Sequence, residues 1–305
     1  RNAKIKSVIN VDNLEEVYTA LEMVELIGGI QGLDADFARE ATTSLDRVIS
    51  VCLQESIEFP VKNGQVAPTE DYQRFVSLLA EYRPSFPFPI GILNFNYDLA
   101  LDFALLSAKV PYDYGLGDRK LGSRQKAIQL CKLHGSLNWG INKTTSKVEV
   151  LLPDIESSLV DIDLRELDQV RFKIDEVWKR LRKDVKAPVI IPPTGDKERL
   201  HRLVKPVWLK AAQLLRNAEL IIVIGYSFPK NDNFFKNFFS LSTIGPADIE
   251  EILILDPSEN AAGNLKSLLS RETEGKMVHH MNGFGRDMNR IEIALQNYTN
   301  YWRSY

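Results

Sequence analysis

Four short polar clusters carry the side chains with the most chemistry to offer. The first is Asn94-Phe95-Asn96-Tyr97-Asp98. The amide of Asn96 can hold a ribose hydroxyl or a water, and Asp98 can accept from an amide N–H. The same residues would also cap a helix over 99–108, and taken alone the cluster favours the cap. The second is Lys132-Leu133-His134-Gly135-Ser136-Leu137-Asn138-Trp139. A histidine titrates ordinarily near pH ~6.5 and can act as a general base at neutral pH, and Gly135 lets a ligand approach the backbone closely. A satisfied histidine buried in a turn accounts for the cluster equally well. The third, Gly225-Tyr226-Ser227-Phe228-Pro229, suits contact with a phosphate or a ribose, or simply a tight strand-to-helix turn. Asp232 beyond it either caps the next helix or binds ligand. The fourth is Asp256-Pro257-Ser258, whose acid can hold ribose hydroxyls, with a helix N-cap the better reading of that residue.

Each cluster follows an apolar run. The runs at 90–95, 128–133, 220–224 and 252–255, with a weaker one at 277–279, read as buried strands. Helices are predicted over 206–217, 231–241 and 261–269, and a last one through Ile291, Ala294, Leu295 and Tyr298. Short apolar strands alternating with helices predict an α/β fold: a Rossmann-like parallel sheet with helices on both faces. Such sheets bind ligands beyond the carboxyl ends of their strands, where all four clusters fall.

Residues 1–88 read as a helical module packed on this core. Asp12 and Glu15 make a capping box, Leu14, Val17, Leu21 and Val24 recur at helical spacing, and Gly28-Gly29 stops the run. A second helix carries Leu45, Val48 and Cys52 on one face. A third starts near Thr69 and carries Tyr72, Phe75, Val76 and Leu79. Prolines 84, 87 and 89 mark the boundary to a core domain over 89–305. The stretch 141–187 is rich in Lys, Asp and Glu, shows no clear strand, and reads as an insertion without zinc.

Composition narrows the function classes. The chain has 305 residues, 44% hydrophobic and 26% charged, an ordinary globular balance. A net charge of −3 gives no global attraction to nucleic acid or an anionic membrane, so direct nucleic-acid binding is not expected. Its two cysteines, Cys52 and Cys131, lie far apart, and its four histidines show no ligand spacing, so no metal site is expected. Sparse cysteine fits reducing, cytoplasmic conditions. No signal peptide is evident, and the longest apolar run, 220–224, is far too short to span a bilayer, so no membrane association is expected. The chain opens on Arg1 rather than Met, so an upstream segment is expected.

The order Asn-Tyr-Asp, then Lys-Leu-His-Gly-Ser, then Gly-Tyr-Ser-Phe-Pro resembles the sirtuin-like domains of prokaryotic antiviral defence systems, over about residues 91–256. The resemblance implies an NAD glycohydrolase that cleaves the nicotinamide–ribose bond to give ADP-ribose and nicotinamide, an NAD-depleting effector in antiphage defence. Under it Asn96 matches the catalytic Asn that positions ribose or water, His134 the general base, and Asp98 the nicotinamide-side carboxylate. Tyr97, Gly135, Ser136, Gly225, Ser227, Asp232 and Asp256 would line the dinucleotide site; many sirtuins carry Asn near the position of Asp256. NAD is then the substrate, and no metal takes part. A homo-oligomer is expected, together with a defence-system partner or fused module such as an ATPase or an Argonaute-type protein. Two departures stand out. The family's zinc module needs four cysteines, which weighs against the alternative of an NAD-dependent protein deacylase. Its Gly-Ala-Gly-x-Ser phosphate loop has no match in residues 1–305, Gly28-Gly29 included. That keeps open a second alternative, a non-catalytic NAD- or ADP-ribose-binding scaffold.

Overall fold

All five apolar runs form strands in the computed structural model, which describes residues 9–303 except 31, 118–126, 152–162, 183, 187, 192–197, 230 and 231. They pair in parallel, as a Rossmann-like reading requires. Among the described residues, however, they form two ladders of three and not one sheet. In one ladder Ile128–Lys132 lies between Gly91–Asn94 and the two-residue strand Tyr112–Asp113. In the other Glu251–Leu255 lies between Leu220–Ile224 and Met277–His280. Both central strands are covered: every residue of Ile128–Lys132 is buried, as is Glu251–Leu255 after its first residue. Burial on both faces is why Glu251–Leu255 reads as apolar after its first residue, while Ile128–Lys132 also buries the polar Gln129 and Lys132. Tyr112–Asp113 is too short to show a period, and so escapes a sequence reading.

The chain packs as two compact units. The first comprises Arg1–Val66, Phe95–Leu99 and His134–Lys205. Its opening helix, Leu14–Leu26, starts later than the capping box predicts; Asn13, not Asp12, stands at its mouth and reaches Glu16 Oε1 at 3.3 Å. The second helix, Ala35–Ser56, is capped by Asp34, whose carboxylate accepts from Phe37 N at 2.6 Å. Its buried residues are not those expected. Val48 and Cys52 are exposed, and the helix instead buries Ala38, Ser50 and Gln54. The reason is polar: Ser50 Oγ donates to Asp175 at 3.0 Å, and Gln54 accepts from Asp175 N at 3.1 Å, tying this helix to the start of Ile174–Leu181.

The stretch 141–187 also departs from expectation, because it does contain strands. Trp139–Asn142 pairs antiparallel with Val148–Val150 and Val185–Lys186, and Gln169–Val170 pairs with Phe59–Lys62. These strands are two to four residues long, too short for alternation to stand out against the charged residues around them. Asn142 organises the turn that follows it: its Oδ1 accepts from Thr144 N and Thr145 N, each at 2.9 Å.

The second unit comprises Ala67–Asn94, Ala100–Leu133 and Pro206–Tyr305 and holds both parallel ladders. Helix Glu70–Tyr82 buries Phe75, Val76 and Leu79, as its spacing predicts, and packs on Ala100–Ser107 and Met288–Arg303. The helix predicted from residue 206 instead runs Glu198–Arg216, with Pro206 inside it. Proline favours a first turn, which is why the sequence points to a start there. The helix carries on across it although Pro206 has no N–H to donate. At the end of Ile128–Lys132, Lys132 is fully buried with Nζ 3.0 Å from the equally buried Asp102, whose other oxygen accepts from the Tyr114 hydroxyl. Among the described residues no helix is long and apolar enough to cross a membrane.

Candidate functional site

The chain leaves the Gly91–Asn94 strand directly into Phe95-Asn96-Tyr97-Asp98, and leaves Ile128–Lys132 into Leu133-His134-Gly135. Asn96, Tyr97, Asp98, His134, Gly135 and Ser136 all belong to the first unit. Asn96 is exposed, and Tyr97 and Asp98 are half-buried. His134 is buried at 7% exposure. Its ring is bordered by Phe95, with centroids 5.7 Å apart, and by Tyr97 at 6.3 Å, edge to face.

The third neighbour of the ring is a backbone carbonyl. Nδ1 of His134 lies 3.3 Å from Ile191 O. A carbonyl only accepts, so Nδ1 carries the proton, and in the neutral ring the basic lone pair is on Nε2. The Tyr97 hydroxyl donates to the same oxygen at 2.8 Å. Residue 191 also answers through its N–H, which donates to His134 O at 2.9 Å. Burial first, and the nearby Asp46 second, push the Tyr97 hydroxyl above its ordinary range, so it remains a donor at any working pH.

Gly135 is fixed in type by its surroundings. Its φ is +90°, and a Cβ there would stand 2.2 Å from Val189 O, because Gly135–Ser136 pairs closely with Val189–Ile190. Ser136 is fully buried, and its Oγ donates to Asn138 Oδ1 at 2.7 Å.

The remaining predicted residues belong to the second unit. Gly225 follows Leu220–Ile224 with φ +62°, its N–H donating to Leu255 O at 2.9 Å. Asp232 caps helix Asn233–Ser242 by accepting from Phe235 N at 3.0 Å, and accepts from the Tyr226 hydroxyl at 2.7 Å. The Ser227 carbonyl accepts from Asn264 Nδ2 at 2.9 Å. Asp256, 5% exposed, closes a turn by accepting from Ser258 N at 2.7 Å, and the cap of helix Glu259–Lys266 is Ser258. Between these residues Phe228 holds φ +50° immediately before Pro229, a strained combination for a side-chain-bearing residue. It is held by aromatic packing: Tyr226 at 4.8 Å and Phe239 at 6.0 Å between ring centroids.

The chain is similar in structure to solved Sir2 enzymes. One, from work on the mechanism and regulation of Sir2 enzymes, is 12% identical with a TM-score of 0.41, covering 84% of this chain and 80% of that one. A Sir2 complex with a p53 peptide and NAD+ is 12% identical, TM-score 0.39, covering 90% and 88%. An ADP-ribose complex of a mutant Sir2 homologue is 14% identical, TM-score 0.38, covering 93% and 90%. No family model and no curated protein matches the sequence.

Sequence reasoning did not find Ile191, whose contribution is a main-chain oxygen, nor Asn264, which reaches Ser227 from a helix. Ile191 precedes Pro192-Pro193, and that punctuation was the one hint the sequence offered. Among the described residues no three His, Cys, Asp or Glu side chains gather as a metal site.

Proposed function

We propose that the chain is an NAD glycohydrolase that cleaves the nicotinamide–ribose bond, giving ADP-ribose and nicotinamide. The observation that carries this reading is His134: buried, fixed through Nδ1 on Ile191 O, with Nε2 as its basic nitrogen, in the same unit as the exposed residue Asn96. Cleavage passes through an oxocarbenium-like ribose centre and needs a held sugar and an activated oxygen nucleophile. Nicotinamide departs from a cationic pyridinium, so no acid is required on that side. Asn96 orients the water or the ribose, His134 takes the proton, and Asp98 addresses the nicotinamide end. Gly225, Ser227, Asp232 and Asp256 are proposed, from the motif order, as dinucleotide-binding residues. The motif order further supports an NAD-depleting role in antiphage defence, as an oligomer acting with a partner or fused module.

Incubating the protein with NAD, with and without an acyl-lysine peptide, tests the assignment. Free ADP-ribose and nicotinamide in both tubes support it. Product only with peptide, as acylated ADP-ribose, makes the chain a deacylase; NAD bound but intact makes it a binding module.

A further inference from the structure

We infer that Tyr97 is a positioning residue: by donating to the Ile191 carbonyl it holds the acceptor that keeps His134 in the Nδ1–H form. This rests on the reading of His134 as the base. A neutral imidazole has one N–H, and its partner decides which nitrogen bears it. A base that presents Nε2 must therefore keep a partner on Nδ1. At 3.3 Å the bond to Ile191 O is long, and by itself weak. It persists only if the carbonyl is fixed.

Burial, backbone bonding and the Tyr97 hydroxyl together fix it. Ile191 is fully buried, its N–H is bound to His134 O, and the strand before it, Val189–Ile190, is in register with Gly135–Ser136. The Tyr97 hydroxyl donates to the carbonyl at 2.8 Å, closer than the imidazole at 3.3 Å, and a carbonyl oxygen has lone pairs for both. Tyr97 is itself anchored by its carbonyl, which accepts from Leu137 N at 3.0 Å. With its one hydroxyl proton committed to a buried main-chain oxygen, Tyr97 acts on the reaction through His134 and not by donating to substrate. A phenylalanine would keep the ring against His134 and remove only the donor, leaving the 191 peptide freer to turn and the imidazole freer to take its other tautomer.

The test is the tautomer of His134, read from the two ring nitrogens by NMR in protein labelled with 15N-histidine, at mildly alkaline pH and without NAD. His134→Gln assigns the resonance among the chain's four histidines. The expected result is the Nδ1–H form in the wild type, and a shift toward Nε2–H in Tyr97→Phe. With NAD present, the same variant should lose roughly ten- to a hundredfold in kcat with KM little changed. An Nε2–H ring in the wild type, or an unaltered Nδ1–H ring in Tyr97→Phe, overturns the inference, as does a raised KM at unchanged kcat. Should Tyr97→Phe not fold, the wild type decides: an Nδ1–H ring with a slowly exchanging Tyr97 hydroxyl proton supports the role, and a fast-exchanging one overturns it. Because the tautomer is read without NAD, failure of the NAD-cleavage reading leaves this test standing.

Discussion

Tyr97 and His134 donate to one oxygen, the carbonyl of Ile191, at 2.8 and 3.3 Å. Three chain segments thus meet at a single acceptor: the turn after the Gly91–Asn94 strand, the turn after Ile128–Lys132, and the end of Val189–Ile190. Whatever moves one segment moves the imidazole.

Gly135 is the tightest point of that junction. Gly135→Ala places a methyl 2.2 Å from Val189 O at φ +90°, so both backbone strain and a clash oppose it. Gly225 shares the left-handed conformation, at φ +62°, but a Cβ there meets nothing within 4 Å. Gly225→Ala should therefore cost only the strain of an ordinary residue at positive φ, about 1–2 kcal/mol. Gly135→Ala should cost clearly more and release His134 from Ile191. Chemical denaturation of both variants checks this; equal losses would mean that Val189 yields easily.

Much of this junction was legible in the sequence. The strands were, because they are short and largely apolar, and a parallel sheet puts polar clusters at strand ends. The acceptor was not, since a backbone carbonyl has no residue type of its own. The buried seam of Ser50 and Gln54 was invisible for a related reason: it is polar, and apolar periodicity pointed to Val48 and Cys52 instead. Asp232 was recognisable as a potential cap and does cap a helix, whereas Asp256 was read as one and the cap there is Ser258. For Asp232 that does not decide between cap and ligand contact, because one carboxylate can serve both.

Asp98 separates the same two roles by experiment. If it addresses the nicotinamide end, Asp98→Ala weakens NAD use while the melting temperature barely moves. If it only caps a helix, the loss is about 1 kcal/mol of stability with the kinetics of the folded protein intact. The first outcome is expected, and kinetics and melting measured side by side check it.

The Lys132–Asp102 pair is fully buried and further bound by Tyr114. Removing one partner leaves an uncompensated buried charge, so Lys132→Met should destabilise by about 3–5 kcal/mol. Adding Asp102→Asn removes the stranded charge and keeps an acceptor for Tyr114, so the double variant should recover a large part of the loss. A double-mutant cycle by urea denaturation measures the coupling; additive losses would show that the pair does not act as a unit.

The two cysteines should react very differently. Burial pushes the Cys131 thiol up to about 12, while Cys52 is exposed. Since the thiolate is the nucleophile, a thiol reagent should modify one site per folded chain, Cys52, and reach Cys131 only on unfolding. Mass spectrometry of the native and denatured protein after labelling counts them.

Removing His134 or Asn96 decides whether these two residues carry out the proposed NAD cleavage. NAD turnover is to be measured for the wild type, His134→Ala and Asn96→Ala under conditions where the wild type is active. Each substitution is predicted to slow the chemical step by about 10²-fold or more, the range of a positioned acid–base group for His134 and of a positioned hydrogen-bonding amide for Asn96. Turnover at the wild-type rate in both variants would show that neither residue takes part in the cleavage.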